Sequence, residues 1–124
     1  MFNDNLKIIM KNIYLTSLLL IFSVFVSATN HLVIIDSGDN TFSPASLTID
    51  VGDTVTWTND SGFHNVNGDL STYPGNADGS INSGAASNTW LIYEWVCATA
   101  GDYNYQCDPH APGMTGYILA NALP

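Results

Sequence analysis

Basic residues are nearly absent from this sequence: of 124 residues only Lys7 and Lys11 are Lys or Arg, against eleven Asp and Glu. A chain so acidic makes a poor binder of nucleic acid or anionic lipid, because its own field repels their phosphates. The charge suits a partner protein with a basic docking surface, or serves only to keep the chain soluble. Long apolar runs are also missing. The one stretch of this kind, Ile13 to Val26, holds 14 residues, whereas a spanning helix needs roughly 20. Cysteine is limited to Cys97 and Cys107, and after residue 28 no helical periodicity emerges.

What is present begins with an N-terminal segment set apart from the rest. Lys7 and Lys11 precede the apolar run, which ends in Val26-Ser27-Ala28, with small residues where a signal peptidase reads. Residues 1–28 are therefore expected to be a secretory signal peptide cleaved after Ala28, the competing reading being a retained membrane anchor. Met10 offers a second possible start that would shorten the basic region. Cleavage leaves residues 29–124, a length that suits one compact domain. The remaining chain has no Lys or Arg and ten acidic residues, a formal charge of −10.

That domain reads as short strands. His31-Leu-Val-Ile-Ile35 is a β-branched apolar run; Leu47-Thr-Ile-Asp-Val51 and Thr54-Val-Thr-Trp-Thr58 alternate apolar with polar around a turn at Val51-Gly52-Asp53. Val55 and Trp57 should share a buried face. Tyr93–Cys97 and Tyr103–Cys107 are expected to form a hairpin in which Tyr93, Trp95, Cys97, Tyr103, Tyr105 and Cys107 face the core and Glu94, Asn104 and Gln106 face solvent. Gly116–Ala120 should close the sheet. Between Asn67 and Asn88 periodicity is lost in a Gly-, Ser-, Asn- and Asp-rich stretch, read as a surface loop. Close strands with Gly and Pro punctuation predict an antiparallel sandwich.

The chemistry concentrates in Tyr105-Gln-Cys-Asp-Pro-His-Ala-Pro-Gly-Met-Thr-Gly116. Eight residues supply a thiolate (Cys107), an imidazole (His110) and a thioether (Met114), the donors that soft redox-active metals prefer. Pro109 and Pro112 restrict the backbone, and Gly113 and Gly116 are expected to let the loop fold back. His64, in Gly-Phe-His-Asn-Val, is the natural second imidazole. Two His and one Cys in a plane with a long axial Met is the blue-copper arrangement for electron transfer, so one copper ion is the expected cofactor.

From Phe42 to Leu119 the chain resembles small cupredoxins of the plastocyanin, pseudoazurin and halocyanin type. Phe42-Ser-Pro-Ala-Ser-Leu-Thr-Ile-Asp-Val-Gly-Asp-Thr-Val-Thr-Trp-Thr-Asn59 is similar to the strands before the family's first ligand His. The resemblance implies an all-β Greek-key sandwich with antiparallel and mixed strands. It assigns copper to His64, Cys107, His110 and Met114, and gives Asn65 the task of steadying the two ligand loops. It implies a monomeric electron carrier, not an enzyme, with His110 as electron port inside an apolar patch of Phe63, Ala111, Pro112 and Gly113. The family's second route, through an aromatic residue before the ligand Cys, meets Gln106 here. Three residues separate His110 from Met114 where plastocyanin-like loops usually place four.

Competing readings are few. Two cysteines in an exported protein invite a disulfide, but the expected hairpin register offsets Cys97 and Cys107 by four residues. That is roughly 13 Å along a strand, beyond the ~7 Å between Cα atoms that a bridge tolerates. Cys97 then reads as a small buried hydrophobe. His31 has no neighbouring donor in sequence and reads as structural. Asn59-Asp-Ser61 matches a glycosylation sequon. An oxidase or nitrite reductase needs further copper ligands, and a binuclear copper centre needs two Cys in the loop. The expected function is that of an exported type 1 copper protein, periplasmic or extracellular, which carries electrons between redox partner proteins and has no membrane insertion once the signal is removed. Copper storage or delivery, or a structural module, is the alternative.

Overall fold

In the computed structural model, which describes residues 3–19, 26–36 and 38–124, a helix α1 (Asp4–Leu19) is followed by seven strands: β1 (Asn30–Asp36), β2 (Thr41–Ser43), β3 (Ser46–Asp50), β4 (Thr54–Asn59), β5 (Ile92–Val96), β6 (Gly101–Gln106) and β7 (Thr115–Asn121). Among the described residues no helix is long and apolar enough to cross a membrane. The apolar run beyond Leu19, residues 20–25, lies outside the described residues.

The strands form two mixed sheets, one ordered β2-β1-β4-β5 and the other β3-β7-β6. β1 runs parallel to β4, with Val33 opposite Trp57, and β3 runs parallel to β7, with Ile49 opposite Ala120; the remaining pairs are antiparallel. The alternation read on Leu47–Val51 and Tyr103–Cys107 holds on β3 and β6, and the same pattern appears on β1 and β7, with inward side chains buried or half-buried. β4 is interior to its sheet, so Val55 and Trp57 are fully buried and Thr56 and Asn59 are covered as well. Burial of Asn59 also removes the sequon from reach on the folded chain. Between the sheets lie Val33, Ile35, Phe42, Val55, Trp57, Trp95, Tyr103, Tyr105 and Ile118. Rings meet edge to face across the layer, Trp57 with Tyr105 at 5.3 Å and Trp95 with Tyr103 at 4.9 Å. Each large aromatic buries roughly 150–250 Å², worth at most about 4–6 kcal/mol of hydrophobic free energy.

The expected hairpin between β5 and β6 does not exist. β5 pairs with β4, Trp95 opposite Val55, and β6 pairs with β7, Tyr103 opposite Ile118. Trp95, Cys97, Tyr103, Tyr105 and Cys107 are nonetheless buried together, because the link after Val96 carries the chain from one sheet to the other and the two faces then meet across the core. Both cysteines are free. Cys97 is buried, its thiol 3.3 Å from the Thr99 carbonyl, and burial pushes its pKa up.

Nor is the stretch from Asn67 to Asn88 only a surface excursion. Ile81 enters the core, as does Val66 just before the stretch begins. Asn76 is buried and acts as a staple: its amide nitrogen donates to the Gly68 and Asn104 carbonyls at 2.9 and 2.8 Å, and the Asn104 N–H donates to its oxygen at 2.7 Å. A side-chain amide that satisfies three backbone groups replaces the strand ladder this polar segment cannot form.

Candidate metal centre

One end of the sandwich gathers the two segments that carry the donors. His64 follows β4 and is held by reciprocal backbone bonds with Ser87, and its carbonyl accepts the indole N–H of Trp90 at 2.8 Å. Cys107 ends β6. A single 3₁₀ turn, Asp108–His110, follows with Pro109 inside it, and the His110 N–H donates to the Cys107 carbonyl. The Met114 N–H then donates to the His110 carbonyl, and the Cys107 N–H donates to the Met114 carbonyl, both at 3.1 Å. The short His–Met spacing thus closes as a five-residue turn, His110 to Met114, that brings Met114 back against Cys107. Neither Gly113 nor Gly116 has a positive φ. Gly116 lies in β7 opposite Tyr105, where a Cβ would sit within 2.1–2.5 Å of the Tyr105 ring. It is small because a ring lies over it, not because the chain turns there.

His64, Cys107 and His110 offer one donor atom each, all within 4.8 Å of one another. The Cys107 Sγ is 3.6 Å from His64 Nδ1 and 3.4 Å from His110 Nδ1. Nitrogen and sulfur donors sit roughly 2.0–2.3 Å from a first-row metal ion, so donors sharing a trigonal plane are separated by roughly 3.5–3.8 Å. The two edges are close to that. Burial and the neighbouring His110 hold the His64 pKa below its usual value, which keeps the imidazole neutral and able to ligate. Its Nε2 is buried with no hydrogen-bond partner; ligation through Nδ1 places the ring proton on that atom. Burial raises the Cys107 pKa, so metal capture must displace a proton there. His64, Cys107 and Met114 are buried, whereas His110 is partly exposed, with Phe63, Ala111, Pro112 and Gly113 exposed beside it. Soft donors at metal-ligand spacing, three of them closed to solvent, fit copper.

Sequence reasoning named Asn65 as the residue that steadies the two segments but missed its partner. Asp108 follows the thiol directly, and its carboxylate accepts hydrogen bonds from the side-chain amides of Asn65 (2.8 Å), Asn67 (3.0 Å) and Gln106 (2.9 Å). These bonds, that from Gln106 foremost, keep its pKa below the usual carboxylate range. The Asn65 side-chain oxygen accepts the Asp108 N–H at 2.8 Å, so the steadying role expected of Asn65 falls on this pair. Gln106 is also tied to the Tyr73 hydroxyl, which donates to its side-chain oxygen at 3.1 Å. An Asp beside a ligand Cys was the available signal. His31 stands far from this end but is not without a partner, since its Nε2 lies 2.9 Å from Asp53 Oδ2.

Comparison with known proteins agrees with copper as the metal. The family of copper binding proteins described as plastocyanin/azurin matches residues 29–121. A chloroplastic plastocyanin of Tetradesmus obliquus is 41% identical over 68% of this chain and 61% of its own length, and the plastocyanin of Scenedesmus fuscus is 40% identical over 67% and 89%. Halocyanin of Natronomonas pharaonis is 33% identical over 71% of this chain and 54% of its own. The match therefore spans less than two thirds of the first of these relatives and of the last. Among solved structures, a copper(I) form of an amicyanin variant superimposes with a TM-score of 0.58 at 28% identity, covering 74% of this chain and 82% of that one.

Proposed function

This chain belongs to the plastocyanin/azurin family of copper-binding proteins, with copper as its cofactor, and from that premise we propose that it carries single electrons between redox partner proteins outside the cytoplasm. His64, Cys107 and His110 would hold one copper ion through Nδ1, Sγ and Nδ1, with the Met114 thioether as a fourth, weaker donor. The observation that carries this reading is the buried triangle of soft donors with a single edge, His110, at the surface. Bound copper supplies the one-electron couple.

The chain's own residues account for the rest. Burial of His64, Cys107 and Met114 excludes water from the donors. The Asn65–Asp108 pair and the two backbone bonds of Met114 fix donor positions before any metal arrives, so the site need not rearrange when the charge at its centre changes. A partly exposed imidazole ringed by Phe63, Ala111, Pro112 and Gly113 lets a partner's apolar surface approach closely, and His110 is then the electron port. The charge of −10 on residues 29–124 favours a basic docking surface. Delivery to the exterior follows from residues 1–28 acting as a cleaved signal.

Repeated redox cycling tests the reading. A copper-loaded, dialysed sample should take up and release one electron per copper over many cycles while keeping its metal. Loss of copper on each reduction would point to storage or delivery instead.

A further inference from the structure

At the end of the sandwich opposite the donor segments, beside the start of β1, Asp53 is buried, and its carboxylate is built into a socket. Its Oδ1 accepts the backbone N–H of Thr29 at 2.8 Å, and its Oδ2 lies 2.9 Å from His31 Nε2 and accepts the Asp50 N–H at 3.1 Å. Thr29 is anchored by its other backbone group too, because its carbonyl accepts the Thr54 N–H at 2.9 Å. Val26, Ser27 and Ala28, just before it, are exposed and outside any strand. Thr29 is also the first residue after the motif Val26-Ser27-Ala28.

We propose that Asp53 is the seat of the mature amino terminus, and that cleavage between Ala28 and Thr29 completes an ion pair for which the fold is prepared. This rests on the export reading above. A signal peptidase adds water across the Ala28–Thr29 amide; the carboxylate leaves with Ala28, and the Thr29 nitrogen, already 2.8 Å from Asp53 Oδ1, takes up protons to become an ammonium. A neutral amide donor is thereby exchanged in place for a cation facing a buried anion, and such charge-assisted bonds are roughly twice as strong as neutral ones. The other titratable groups around Asp53 are His31 on β1, the Cys97 thiol after β5, and Asp50 at the end of β3, whose carboxylate accepts from Asn121 at 3.2 Å. The Thr29 bond is foremost in holding the Asp53 pKa below its usual value.

The ammonium's pKa in the folded chain should stand above its unfolded value of roughly 7.7–8.0, by about 1 unit or more. Stability from the pair is then fully present below that unfolded value and is lost as pH rises through the folded one.

The composition makes the test clean. Lys7 and Lys11 are the only lysines, and both precede Thr29, so the cleaved chain has one primary amine. The full chain is expressed in an exporting host, and the N-terminus of the exported product is read by intact mass. The amine is then ¹³C-dimethylated, which preserves its charge, and titrated by NMR. We expect Thr29 as first residue and a single signal titrating about 1 unit or more higher in the native protein than in guanidinium. In Asp53→Asn that elevation should be lost. Should this variant not fold, the wild-type titration in 1 M salt, where the Debye length is about 3 Å, isolates the contact pair from the general acidity of the chain, and the elevation should persist. A different N-terminus overturns the proposal, as does a titration unchanged by Asp53→Asn or, without that variant, an elevation abolished by salt.

Discussion

Asn65 and Asp108 clasp each other reciprocally: the Asn65 amide donates to Asp108 Oδ2 at 2.8 Å and the Asp108 N–H donates to Asn65 Oδ1 at 2.8 Å. The two residues adjoin His64 and Cys107, so this pair ties together segments more than forty positions apart. Asn65→Ala leaves the Asp108 N–H without its acceptor and removes one of the three amide donors to its carboxylate, and should cost about 1–3 kcal/mol, read from chemical denaturation of the metal-free protein. Weaker copper retention should accompany it. An unchanged midpoint would mean that Ser87 and Trp90 suffice to place His64.

The Asp108 carboxylate also fixes a pH dependence. Its pKa in the folded chain is lowered, chiefly by Gln106, so its contribution is present above the unfolded value of about 3.9 and fades as pH falls through the folded one. Asp108→Asn should therefore flatten the acid limb of the stability profile below about pH 4. An acid limb identical to the wild type's would remove Asp108 from this role.

The cysteines should differ sharply. Cys107→Ser should abolish the visible charge-transfer band of the copper(II) protein, whereas Cys97→Ser should keep it. Equal bleaching of both variants would contradict the assignment of Sγ at position 107 as the ligand.

Met114 offers a graded test. An axial thioether tunes potential while the stronger donors retain the metal. Voltammetry should show a raised potential in Met114→Leu, since losing a donor penalises copper(II) more, and a lowered one in Met114→Gln, with colour kept in both. Indifference to both substitutions would make Met114 a packing residue.

Gly116→Ala should destabilise the fold by about 1–3 kcal/mol through collision with the Tyr105 ring, with the thermal midpoint as readout. Because φ at this position is not positive, a neutral result could come only from a Tyr105 ring that moves freely, at odds with its burial.

Much of this protein was legible in one dimension because the relevant physics is local. Cys107, His110 and Met114 fall within one turn-forming segment, and the donor types alone select copper. Alternation in Leu47–Val51 reports burial of one strand face wherever that strand pairs, whereas in Thr54–Thr58 the fold covers Thr56 as well. The fold decided what depends on partners distant in sequence. Tyr93–Cys97 and Tyr103–Cys107 carry the same inward pattern whether they form a hairpin or face each other across a core, because side-chain period constrains a strand's faces and not its neighbours. Polar residues without periodicity gave no warning that Asn76 staples β6, that Asp108 gathers three amides, or that Asp53 waits beside His31 and Thr29. Their roles arise from hydrogen bonds that become worth making only once the surrounding chain has excluded water.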